Sequence, residues 1–252
     1  MRKPLFGIWL KSARLLDGVD ALQHFSCYGD RRNKGKCVHC GGPAETDDHV
    51  PSKVLLDEPY PTNLMVCPAC FSCNNSLSPD EEYLACLLEC VIAGDTSTSN
   101  IRRPKIARSL ERNDGLRRML AGAMSDVEGR RIWSVDNERV TAVLLKLARG
   151  HAAYEQNLPQ VALPSRLYFR PLETMTTADR QAFEGCDDGV VAGWPEVGTR
   201  AMQRLLVVGT DVFKEDWLVV QPDNYRFRVD TDDGVRVRVV LREYLACEIA
   251  WD

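Results

Sequence analysis

Four histidines in 252 residues leave few candidates for proton transfer near neutral pH. They are His24, His39, His49 and His151, so any imidazole chemistry has to sit at one of four places. The chain also lacks a Gly-rich phosphate loop, a Ser-His-Asp arrangement and an internal repeat. Those absences set aside nucleotide-loop enzymes, serine hydrolases and solenoids. Long apolar runs are missing as well. The stretch Leu5-Phe6-Gly7-Ile8-Trp9-Leu10 is broken by Gly7 and closed by Lys11, too short for a membrane span or a secretory h-region. There is no overall excess of positive charge either: the formal net charge is −4, the wrong sign for a protein held on nucleic acid by bulk charge alone.

With 44% apolar and 27% charged residues the composition is that of a globular chain, long enough for one core-bearing domain or two modest ones. Cysteine is plentiful, at ten residues. Without a leader peptide, so many thiols predict a reducing, cytoplasmic setting in which they serve metals rather than disulfides. The charge is unevenly spread. Residues 1–36 hold eight Lys or Arg against three Asp, and residues 101–118 hold seven against two acids, whereas residues 171–252 hold nine against sixteen. The positive segments therefore flank the cysteine-rich stretch, although charge runs are most often solvated faces.

That stretch runs from Cys37 to Asn75. Cys37-Val-His-Cys40 and Cys70-Phe-Ser-Cys73 are two C-x-x-C turns, and two such turns facing each other supply the four thiolates of a tetrahedral structural zinc. Cys67-Pro-Ala-Cys70 is a competing second turn that spacing alone leaves open. Cys70 with Cys73 is preferred, because Asn74 follows Cys73 directly and a residue beside a metal ligand is held rigidly.

Between the turns, Thr46-Asp47-Asp48-His49-Val50-Pro51 sets a carboxylate against a histidine; Asn63 follows fourteen residues later and Asn74 twenty-five. Over about residues 37–83 this order resembles the HNH endonuclease family and its ββα-metal finger, in the bacterial zinc-knuckle branch; Ser78-Pro79-Asp80-Glu81-Glu82-Tyr83 extends the likeness. The resemblance implies divalent-metal-dependent hydrolysis, by cutting or nicking, of DNA phosphodiester bonds, with RNA left open. At matching positions it makes His49 the general base toward water, Asp48 and Asn74 the ligands of a catalytic Mg²⁺ or Mn²⁺, and Asn63 the side chain that pins the histidine loop. Lys53, four residues past His49, reads equally as a phosphate contact or a solvated lysine. One departure stands out: Leu77 and Ser78 occupy positions where many family members carry Lys or His. A non-catalytic zinc-dependent nucleic-acid-binding module, or a regulatory subunit working through a protein partner or a second copy, is the alternative.

The expected fold is α+β: a zinc-braced finger with a basic N-terminal segment over 1–94, then helices and an antiparallel meander over 101–252. A weak helix is expected over 8–25. A second runs from a Ser78 N-cap, with Glu81 closing a capping box, to Gly94. Gly94–Asn100 is the polar linker, Pro104–Arg112 and Leu116–Met124 are short basic helices, and Asp136 caps a long helix to Gln156 that carries His151 on its apolar face. His151 is therefore expected in the core, and Cys86 and Cys90, four apart, read as core filler. Strands follow at 205–208, 217–221, 225–229, 235–241 and 244–251. Arg226, Arg228, Arg236 and Arg238 alternate with apolar residues and predict an arginine face, solvated or turned to nucleic acid.

Overall fold

The computed structural model describes residues 33–61, 64–185, 200, 217–231 and 234–252. His24, Asn63 and the elements expected over 8–25 and 205–208 lie outside the described residues. Strands β1 (Thr46–Val50) and β2 (Met65–Ala69) pair antiparallel, with Asp48 opposite Cys67 and His49 opposite Val66. A short helix α1 (Phe71–Asn75) follows, and then α2 (Ser78–Ala93). The start of α2 differs from expectation. Leu77 is the N-cap and Ser78 the first helical residue, with no side-chain cap. Glu81 turns inward to Ser52 and Lys146 and so does not reach back to close a capping box. The helix stops as expected at Gly94, whose φ of 67° suits a residue without Cβ.

Helices α3 (Pro104–Arg112) and α4 (Asp114–Gly122) share Asn113, which closes the first and caps the second by accepting from the Leu116 N–H. An unforeseen hairpin follows, β3 (Met124–Val127) and β4 (Arg130–Trp133). Its two-residue turn, Glu128-Gly129, has both φ values positive, the geometry that matches strand twist in tight hairpins. Asp136 then caps α5 (Asn137–Gln156) through the Arg139 N–H. This helix sits at the centre of the molecule, against α2, β1, β2 and the large sheet.

That sheet has the order β5-β9-β8-β7-β6, all antiparallel: β5 (Arg166–Pro171), β6 (Leu218–Gln221), β7 (Tyr225–Asp230), β8 (Val235–Leu241) and β9 (Leu245–Trp251). The last four form the expected meander, while β5, followed by helix α6 (Thr177–Glu184), adds an edge strand that the sequence reading does not contain. The arginine face is not open. Arg228 and Arg238 are buried, paired with Asp230 at 2.5 Å and Glu248 at 2.8 Å, so they serve neither solvent nor nucleic acid. Buried residues on both sides of the 94–100 connection, among them Val50, Leu84, Leu144 and Val237, belong to one continuous cluster. No described helix is long and apolar enough to cross a membrane. The mixed helix and antiparallel sheet agree with an α+β class.

Candidate active site and metal centre

The first cysteine turn is closed by backbone bonds: Cys37 N–H to Gly42 O at 2.7 Å and Gly41 N–H to Cys37 O at 2.8 Å, with Gly41 at φ 76°. The second lies at the start of α1, where Cys70 is the N-cap and its Sγ accepts from the Cys73 N–H at 3.3 Å. That N–H bond draws the Cys70 thiol below its ordinary value. Burial, together with the neighbouring cysteines, pushes Cys73 the other way. The sulfurs of Cys37, Cys40, Cys70 and Cys73 all lie within 4.8 Å of one another. A Zn–S bond of about 2.3 Å in a tetrahedron separates sulfurs by about 3.8 Å, and Cys40 and Cys70 are 3.9 Å apart. Four soft donors at that spacing fit a metal ion such as zinc.

Cys67 does not join them. It lies inside β2, fully buried, and its Sγ approaches Gly150 O of α5 at 3.5 Å. Burial pushes its thiol well up. The strand period explains the difference: Cys67 points at α5, whereas Cys70 and Cys73 lie beyond the strand end, on the helical turn that faces the first cysteine pair.

The same period separates Asp48 from His49. Asp48 and Val50 are buried on the face covered by α5; His49 is half-buried on the other face. Burial and the Lys53 ammonium draw the His49 imidazole below its ordinary 6.5, against weaker pulls from Asp48 and Asp47. Among the described residues His49 has no hydrogen-bond partner. The other two described histidines are committed. His39 Nε2 lies 2.8 Å from Asp48 Oδ2, and His151, fully buried on Phe227, lies 2.8 Å from the Tyr225 hydroxyl. His151 is thus the core histidine its helical face predicts.

Asp48 anchors an unexpected polar cluster. Lys146 of α5, itself buried, places its ammonium 3.2 Å from Asp48 Oδ1, 2.7 Å from Glu81 Oε1 and 3.4 Å from the backbone oxygen of Asn74. Ser52 Oγ donates to the same Glu81 oxygen at 2.6 Å. Both carboxylate oxygens of Asp48 are therefore engaged, one by His39 and one by Lys146. Asn74 uses its side-chain N–H groups on Thr46 Oγ1 at 3.0 Å and Asp47 O at 3.2 Å, clamping α1 to β1. Among the described residues the four cysteines are the one group of three or more His, Cys, Asp or Glu side chains close enough to share an ion. Of the residues the resemblance marks for a catalytic cation, Asp48 has its carboxylate taken by His39 and Lys146, and Asn74 has its side-chain N–H groups taken by Thr46 and Asp47. Lys146 carries a signal that the sequence reading passed over: it is the one charge between Val140 and Ala148. Comparison with protein-family models, curated proteins and solved structures gives no significant match.

Proposed function

We propose that the chain is a zinc-braced HNH-type nuclease that hydrolyses phosphodiester bonds in DNA, with His49 as the base. The observation that carries this reading is the state of His49: an imidazole on the open face of β1, free of protein partners among the described residues and biased by burial and Lys53 toward its neutral form. A neutral imidazole accepts a proton from an attacking water; a charged one does not. Cys37, Cys40, Cys70 and Cys73 would hold a structural zinc whose task is to tie the first turn to α1. The order β1, β2, α1 with the cysteines at the hairpin's foot is in keeping with a ββα-metal finger. Asn74 then holds the helix against the strand that bears His49.

The Mg²⁺ or Mn²⁺ that the resemblance puts on Asp48 and Asn74 does not fit this arrangement, because Lys146 and His39 hold the Asp48 carboxylate. No step is assigned to that ion. The same engagement of Asp48 favours a second reading, a zinc-dependent nucleic-acid-binding or regulatory module without turnover. Supercoiled plasmid, linear duplex and single strand, incubated side by side with a Mg²⁺ titration, separate the two. The nuclease reading expects plasmid nicking or cutting that His49→Ala abolishes with folding and zinc content retained. It also expects a rate that rises with pH below about 6.5 and is level above, since the base must be neutral. Binding without cleavage at any Mg²⁺ level, or undiminished cleavage by His49→Ala, overturns it.

A further inference from the structure

A second basic feature lies away from the cysteine centre. Where the loop after β1 meets the start of α3 and the turn between β8 and β9, a cavity of about 430 Å³ is lined by Arg102, Arg103, Lys105, Arg108 and Arg242. Two acids, Asp57 and Glu58, share the wall. Asp57 is already neutralised, with Arg103 at 2.5 Å and Arg242 at 2.8 Å, and its backbone is clamped on both sides by Gln221 at 2.8 and 2.9 Å. Arg103 is buried and further tied to the carbonyls of Val54 and Leu56. Lys105 donates to the Tyr60 hydroxyl at 2.7 Å, and that hydroxyl donates to Glu58. These groups form a fixed floor and rim.

Arg102 and Arg108 are different. Both are exposed and have no partner among the described residues, so two guanidinium groups, one just before α3 and one on it, meet the cavity with their donors free. The start of α3 adds to the field: it carries no acid in its first turn and no side-chain cap, and Lys105 and Ile106 precede its first helical hydrogen bond, from Ala107 N–H to Arg103 O. The remaining wall is Leu56 and Pro104. Among the described residues lining the cavity none is aromatic and none carries an amide or hydroxyl, and the adjoining Tyr60 hydroxyl and Gln221 amide are engaged by Lys105, Glu58 and Asp57, so the chemistry offered is mainly that of oxyanions. The volume, within the ~300–1,000 Å³ range of ligand sites, exceeds the needs of a single oxyanion.

We propose that this cavity holds the sugar-phosphate backbone of a nucleic-acid strand, contacted by Arg102 and Arg108 and read without regard to sequence. The proposal rests on the reading of the chain as acting on nucleic acid, but not on cleavage. It is tested in the His49→Ala protein without added divalent ions, by anisotropy of a labelled duplex of arbitrary sequence across KCl concentrations. Arg102→Ala with Arg108→Ala removes only exposed, unpaired side chains; Arg112→Ala, exposed on the same helix but outside the cavity, is the control. Each phosphate contact contributes about 0.9 to the slope of log K against log salt, so the double variant should lose about 1.8 from its slope. Arg112→Ala should leave the slope unchanged, and a second duplex of different sequence should behave alike. Inorganic phosphate, replacing KCl at equal ionic strength, should displace no additional duplex. An unchanged slope in the double variant, an equal loss with Arg112→Ala, or phosphate competing as a specific ligand each overturns the proposal. The absence of any duplex binding overturns it together with the nucleic-acid reading. Binding that depends on Arg102 and Arg108 with no cleavage by the parent upholds this site while removing the nuclease assignment.

Discussion

Replacing Lys146 with Met tests whether β1 and α2 are held to α5 by a buried cation. The substitution keeps an unbranched apolar stem of similar length, so what is lost is mainly the ammonium and its bonds to Glu81 at 2.7 Å, Asp48 at 3.2 Å and Asn74 O at 3.4 Å. The Lys146 side chain is 5% exposed, Asp48 4% and Glu81 9%. Two carboxylates would then remain in the interior with only His39 and Ser52 to answer them. Breaking a buried ion pair from one side costs about 3–5 kcal/mol, because the surviving charge stays desolvated without its partner. Against a typical total of about 5–15 kcal/mol that is a large share. Arg117 offers an internal contrast: its 2.6 Å pair with Asp114 is about half exposed on each side, so solvent screens most of the attraction. Urea unfolding with zinc in excess should therefore show a strong fall in midpoint for Lys146→Met and little change for Arg117→Met. Adding Glu81→Gln to Lys146→Met should restore part of the loss, since it neutralises one of the stranded acids; coupled neighbours commonly interact by about 0.5–3 kcal/mol. A Lys146→Met loss under about 1 kcal/mol, or a double variant that merely sums the two single losses, would show that the ammonium is not what joins the elements.

The legible parts of this molecule were those set by local chemistry. Pro104, Asp136 and Gly94 mark helix ends whose signals act over one turn, and they stand where the residue types put them. The four-cysteine set was legible because two tight turns and the helical start at Cys70 impose their own geometry. Long-range partners were not. Glu81 reads as the acid that closes a capping box, but a lysine 65 residues away draws it inward. Nothing in the local sequence around His39 announces Asp48, nine residues on, which the fold brings to it. The arginines of β7 and β8 alternate as a solvated face would, and only the supply of Asp230 and Glu248 from the same sheet lets two of them be buried. The β3–β4 hairpin is a miss of another kind: Glu128-Gly129 is a local turn signal, flanked by strands of only four residues each. Pairing of a carboxylate with a distant cation depends on topology, which periodicity does not encode.

Two further outcomes follow from burial. If the cysteine set holds zinc, Cys73→Ser should lower metal content measured by elemental analysis, while Cys67→Ser should retain about one zinc per chain, because Cys67 faces Gly150 and not the other sulfurs. Equal retention by both variants would remove the assignment. Glu89 makes the last case, where two influences on one carboxyl oppose each other. It is 2% exposed, yet an Arg242 nitrogen lies 2.9 Å from its Oε1. Burial outweighs Arg242 and Arg103, and its pKa is raised above the ordinary 4.5. The folded protein thus binds this proton more tightly than the unfolded chain does. The stability that this proton confers is complete below pH 4.5 and is lost as pH rises through the higher folded value. Glu89→Gln keeps the shape and removes the titration, while Arg242 retains Asp57 at 2.8 Å. Urea midpoints measured upward from pH 4.5 should therefore fall in the parent relative to Glu89→Gln, and the two curves should run parallel once Glu89 is ionised. If the parent instead gains on Glu89→Gln over that range, the Arg242 pair outweighs burial and the sign argued for Glu89 is wrong.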